Sequence, residues 1–253
     1  MAANNLSSPI AMLPPELMPD IFSVVARTAE WRRATLRLSQ VSQGFRRTVL
    51  DMSLLFTHAD WDHWALPLLD LWCRRARAQL STFNLSCWAL HNLSTGKDPE
   101  RQALSESLSR RWGALDLGIC FLTDDEGDVI SLVERLLQCD CPALHTLCLR
   151  KEGLRKATTI RLQLDCLPSL RALHLSAVVP IFSTSPVSVA ELAYHCEDTE
   201  DWLRCLDVVT SCHLIQRLII GKRGFTEFAG HPIEFPATRV VLPSLTRIEL
   251  LGS

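Results

Sequence analysis

Glycine and proline are scarce, 10 and 13 among 253 residues, so the chain lacks the composition of a disordered or fibrous polypeptide. Neither charge is in surplus: 26 Lys and Arg stand against 28 Asp and Glu. That balance removes the basic excess needed to hold a phosphate backbone and gives no pull toward an anionic membrane. Long apolar runs are missing as well. The charge-free stretch 172–190 is broken by His174, Pro180 and Pro186 and reads as a strand followed by a loop. Residues 1–12 have neither the basic start nor the apolar core of a secretory leader, so they are expected to be a flexible N-terminus. Nucleic acid and membrane are therefore not expected as partners.

Catalytic signatures are also lacking. There is no G-x-x-x-x-G-K-[ST] phosphate loop, no G-x-G-x-x-G after a strand and no G-x-S-x-G elbow. Several near misses have simpler readings. Cys139-x-Cys141 with His145 lacks the second ligand pair that zinc wants. Asp124-Asp125-Glu126-Gly127-Asp128 lacks the alternating ligands and closing glutamate of a calcium loop, and suits a helix start. His195-Cys196 would point to opposite faces of a strand, and Gly221-Lys222-Arg223-Gly224 reads as a solvated turn after one. No enzyme, cofactor or metal is expected.

What is present is a globular balance, 47% hydrophobic and 21% charged. Its ten cysteines lie mostly in apolar runs, as Cys148 does between Leu147 and Leu149. Thiols so placed act as small buried hydrophobes, which fits a reduced chain in the cytoplasm or nucleus.

Residues 13–61 carry apolar positions spaced for three short helices. Pro14 and Pro15 suit a first helical turn, and Leu17, Ile21 and Val25 follow at helical spacing, with Phe22 beside Ile21. Pro19 removes a donor early in that helix. A second helix is expected over about 31–40 and a third through Val41, Phe45 and Val49, weakened at Gly44. Residues 62–79 predict a linking helix with Trp64, Leu68, Leu69, Trp72 and Ala76 on one side.

The stretch Leu13-Pro14-x-Glu16-Leu17, then Ile21-Phe22, then Leu38-Ser39-Gln40-Val41 and Phe45-Arg46, resembles an F-box. Leu55-Phe56-Thr57-His58 is similar to the segment that follows the box in large fungal F-box families. Phe45 stands where that family commonly has tryptophan, and Ser42 where it commonly has cysteine. The resemblance implies that Leu13, Pro14, Leu17, Ile21, Phe22, Val41 and Phe45 contact a Skp-type adaptor and, through it, a cullin.

Beyond residue 80 the pattern apolar-x-x-apolar-x-apolar recurs with central residues Phe83, Leu115, Leu147, Leu173, Leu192, Leu218 and Ile248. The spacing is close to that of leucine-rich repeats, with some longer turns. Cys141-Pro142-Ala143-Leu144, Leu167-Pro168-Ser169-Leu170 and Leu242-Pro243-Ser244-Leu245 look like sibling units. Residues 98–111, 128–138 and 200–210 read as helices between strands, the last burying Trp202, Leu203, Leu206 and Val209 together. The fold class expected is α/β: a three-helix box over 13–61, then a curved solenoid of parallel strands over 80–253 with helices and loops outside.

Strand alternation sends Asn84, Ser86, Asp116, Thr146, Arg150, His174, Ser176, Glu191, His195, Arg217, Glu249 and Leu251 outward. Asp116, Arg150, His174, His195, Arg217 and Glu249 are the candidate target-binding set, since curved repeat faces bind proteins. The resemblance thus implies the substrate-recognition subunit of a ubiquitin ligase. A non-ligase scaffold and a plain repeat module whose box-like start caps the solenoid are the alternatives. The sequence stops directly after a strand, as an uncapped, shortened family member would, and its last repeat is expected to fray or aggregate.

Overall fold

In the computed structural model the residues described are 14, 17–26, 37, 40–56, 58–60, 66–76, 81–94, 99–120, 126–152, 157–183, 189–196, 199–222 and 241–251. Leu13 and most of the expected second helix lie outside them, although Arg37, Gln40 and Val41 are helical.

The repeat reading places seven of the eight strands of the main sheet in register; the first, His58–Asp60, falls in the stretch expected to belong to the three-helix box. Eight parallel strands stack in chain order apart from two that leave the sheet: β1 (His58–Asp60), β2 (Ser81–Leu85), β3 (Trp112–Cys120), β4 (Thr146–Glu152), β6 (Ala172–Ser176), β8 (Glu191–Cys196), β9 (Arg217–Lys222) and β10 (Arg247–Leu251). From β2 to β10 the paired residues are Phe83, Leu115, Leu147, Leu173, Leu192, Leu218 and Ile248, the same central series that recurs in the sequence. Two residues on, Leu85, Leu117, Leu149, Leu175, Tyr194, Ile220 and Leu250 form a second inward row. Both rows are buried through β8. The protein is therefore α/β, a solenoid-like coil around one long apolar core.

The same short device starts several strands. Leu144, Leu170 and Leu245 donate their N–H groups to the carbonyls of Cys141, Leu167 and Leu242, closing turns with Pro142, Pro168 and Pro243 at the second position. Proline suits that position because its ring presets φ. His145, Arg171, Ala190 and Gln216 then each offer a carbonyl to the start of the next strand in the sheet. Cys141 is fully buried where its siblings have leucine, and burial pushes its thiol up to about 12.

The connections form a second layer. After β2 come α4 (Cys87–Ser94) and α5 (Pro99–Leu108); α6 (Glu126–Gln138) follows β3, and α7 (Thr199–Ser211) follows β8. α6 buries Val129, Leu132, Val133, Leu136 and Leu137, the face its periodicity predicts. The loop expected after β6 is instead a strand. β7 (Val178–Phe182) pairs in parallel with β5 (Thr158–Leu162), and this two-stranded sheet sits between α6 and α7.

Turn length fits a strand rather than a helix between β6 and β8. Only 19 residues separate Leu173 from Leu192, and a strand advances about 3.3 Å per residue against 1.5 Å for a helix. The chain passes from β6 to β7 through one residue, Ala177, held at φ 51°. That left-handed conformation costs a residue with a side chain roughly 1–2 kcal/mol and turns the backbone sharply enough to cross between layers. Its carbonyl accepts from the Thr158 N–H at 3.1 Å.

Of the residues expected to pack together on α7, Val209 is buried, Leu206 is half-buried and Leu203 is not buried. Asp201, Cys205, Val208, Val209 and Cys212 are buried, whereas Leu203 is exposed. α4 was not expected at all; Ser86, expected as an outward strand residue, accepts from the Ala89 N–H at its start and so serves that helix.

A smaller core joins α1 (Met18–Ala26), α2 (Gln43–Asp51), a 3-10 turn over Ser53–Phe56, and α3 (Leu66–Arg75). Met18, Phe22, Phe45, Val49, Leu55, Phe56, Trp72 and Ala76 fill it. Trp72 and Ala76 belong to this core while the intervening Cys73 packs into the long one, so α3 couples the two. Arg111, just before β3, donates to the Cys73 carbonyl at 3.1 Å and reinforces that junction.

Ser42 caps α2, accepting from the Phe45 N–H at 3.1 Å. A Cβ added at Gly44 would meet only the Ser42 Oγ, at 3.7 Å. Gly44→Ala is accordingly expected to stabilise the protein by about 0.5–1 kcal/mol through helix propensity, read as a rise in the urea midpoint with an unchanged slope.

Candidate functional site

Two surfaces carry the residues singled out in the sequence. The first lies on α1. Met18 and Phe22 face the small core, and the Phe22 ring meets the Phe45 ring edge-on with centroids 5.6 Å apart. Leu17, Ile21 and Val24, spaced by four and three residues, form a separate apolar stripe open to solvent, with Ile21 38% and Val24 66% exposed. Side chains at that spacing share one helix face. Val41 is exposed as well, directly before the Ser42 cap, and Pro14 accepts from the Leu17 N–H at 3.0 Å.

This placement corrects two members of the expected contact set. Phe22 and Phe45 are buried against each other and offer no surface; they brace the exposed stripe from behind. Val24 was missed because the spacing of Leu17, Ile21 and Val25 fits one helical stripe. Its signal was the i+3 step from Ile21.

The second surface is the outward face of the main sheet, where the candidate residues pair with one another. Arg150 on β4 grips Asp116 on β3 with two hydrogen bonds, at 3.0 and 2.8 Å. Further along, His174 meets Glu191 at 3.0 Å and Arg217 reaches Glu191 at 2.9 Å and Glu249 at 2.7 Å. Arg247 holds the same Glu249 oxygen at 2.9 Å. The result is a polar ladder across β6, β8, β9 and β10 in which the carboxylates of Glu191 and Glu249 alternate with Arg217 and Arg247. Glu191 and Arg247 complete it, although neither stood in the expected set; strand register, a long-range property, brings them in.

His195 sits in the row between Ser176 and Gly221. A Cβ on Gly221 would overlap the His195 imidazole at Nδ1. Gly221 is thus a buried strand residue that lets the His195 ring lie against the β9 backbone, rather than part of a solvated turn. Gaps of this kind are a standard use of glycine in strands.

Cys148 lies between Asp116 and His174 in register. Burial, and then the Asp116 carboxylate, push its thiol up to about 12, which leaves it protonated and unreactive near neutral pH. The hydrogen bond from Arg217 holds the Glu249 carboxyl below its ordinary value of 4.5, while Glu249 and Glu191 raise Arg217. A lowered carboxyl pKa stabilises the fold above the ordinary range, and that contribution is lost as pH falls through the folded-state value. The stability difference between wild type and Glu249→Gln is therefore expected to hold from neutral pH down to about 4.5 and to shrink as pH falls further through the lower folded-state value, as measured by urea unfolding at a series of pH values.

Among the described residues no helix is long and apolar enough to cross a membrane. Comparison with protein-family models, curated proteins and solved structures returned no match.

Proposed function

We propose that the chain is the substrate-receptor subunit of a Skp–cullin–F-box type ubiquitin ligase, with an F-box at its start and a leucine-rich-repeat coil behind it. The carrying observation is the exposed stripe of Leu17, Ile21 and Val24 on a helix whose opposite side is already buried. An apolar face of this kind on a short helix is the mark of a docking surface. It falls on the positions that resemble the family's adaptor contacts, with Val24 added. Burying each of these side chains against an adaptor would contribute on the order of 1 kcal/mol or more.

On this reading the chain performs no chemistry. The α1 stripe and Val41 bind the adaptor, the adaptor binds the cullin, and the outward sheet face holds a target protein. The Asp116–Arg150 pair and the His174–Glu191–Arg217–Glu249 ladder keep the polar groups of that face fixed before a target arrives, which lowers the ordering cost of binding. α3, packed into both cores, sets the spacing between the two surfaces. Transfer of ubiquitin is then a matter of proximity supplied by other subunits. Such a complex would work in the cytoplasm or nucleus.

Co-purification of the full chain from cells tests the reading. Adaptor and cullin together support a ligase receptor. Adaptor alone points to a scaffold outside any ligase, and neither to a plain repeat module.

A further inference from the structure

Where α7 covers the end of β8, small and polar groups make the contact between the layers. On the helix Asp201, Cys205, Val208 and Val209 are buried, while Leu203 is exposed. On the strand the Tyr194 hydroxyl is buried with no hydrogen-bond partner among the described residues. Small apolar areas and an unmet hydroxyl mean that this contact opens at low cost.

Two thiols meet across it. Cys196, the last residue of β8, faces inward with Leu192 and Tyr194 and is 1% exposed; Cys205 is 0% exposed. Their sulfurs are joined by a hydrogen bond. Thiols nearer to solvent are turned to other groups: Cys139 donates to the Arg135 carbonyl at 3.5 Å and Cys166 to Gln163 Oε1 at 3.9 Å.

We propose that Cys196 and Cys205 are a redox modification site, forming a reversible disulfide under hydrogen peroxide that pins α7 to β8. While the layers are closed the pair is guarded. The contact with Cys196, and then burial, hold the Cys205 thiol well above its ordinary value of 9.0, so it stays protonated. When α7 lifts, one thiol attacks a peroxide oxygen, giving a sulfenic acid and one water. The other attacks the sulfenic sulfur: the S–S bond forms, the S–O bond breaks and a second water leaves. Two electrons pass from the sulfurs to the peroxide, and the two thiol protons leave in the waters. A dithiol reductant reverses the step by exchange. The bond involves neither the α1 stripe nor the outward side chains of the sheet, so it stands or falls apart from the ligase reading.

Peptide mapping of the folded full chain after peroxide treatment tests the proposal, since trypsin cuts after Arg204, between the two cysteines. The 196–205 linkage is expected to be the main disulfide formed, and dithiothreitol to remove it. Amide exchange in 199–211 is expected to slow by about tenfold or more in the oxidised protein. Cys205→Ser should lose both effects and Cys212→Ser should keep them. No 196–205 linkage, preferential linkage of other cysteines, oxidation to sulfinic acid in its place, or unchanged exchange in α7 would overturn it. Should a serine variant fail to fold, the map and exchange of wild type decide alone.

Discussion

Ile21→Asp with Val24→Asp is expected to lower affinity for a Skp-type adaptor by about a hundredfold or more, roughly 3 kcal/mol, without moving the thermal midpoint. Both side chains project from the open face of α1, so the exchange leaves the small core intact. The charges would have to be desolvated under the adaptor, which is the source of the loss. Phe22→Ala is expected to behave in the opposite way. It empties a fully buried site beside the Phe45 ring and should cost about 3–5 kcal/mol of stability. Its adaptor binding would weaken only as far as the helices come apart. Affinity by calorimetry and stability by urea unfolding, measured on both variants, separate contact from support.

The second large effect follows from the inward rows. Leu173→Ala is expected to cost about 2–5 kcal/mol, because Leu173 is fully buried between Leu147 and Leu192 in the sheet. Ile248→Ala, in the same row but exposed, is expected to change stability by no more than about 0.5 kcal/mol. Equal costs at the two positions would contradict the register that places them in one row with different cover.

That register was legible in the sequence because each strand repeats the same spacing, with two inward apolar residues two apart. The two inward rows of the main sheet from β2 onward follow from it residue by residue. The outer layer was less legible. β7 stands in the short 19-residue turn where a helix has little room, and Val178-Val179-Pro180-Ile181-Phe182 carries a proline that masks its strand character. In α7 the large residues Trp202 and Leu203 outweighed Cys205 and Cys212, yet the cysteines are buried and Leu203 is exposed. Small thiols at core positions carry a weak periodic signal.

The candidate sites divide in the same manner. Helical spacing found Leu17 and Ile21 but could not say which apolar residues of α1 face the core, since apolar residues occupy more than one side. Outward strand positions were correctly assigned for Asp116, Arg150, His174, Arg217 and Glu249. Their pairing into a ladder depends on which strands lie side by side, and local sequence does not encode that.

The claim on which the account turns is that the exposed stripe of α1 docks an adaptor. Titration of the purified full chain with a purified Skp-type adaptor by calorimetry tests it most directly. The account predicts a one-to-one complex with a submicromolar Kd and a negative heat-capacity change from buried apolar surface. No detectable complex at micromolar concentrations of the folded protein would contradict it.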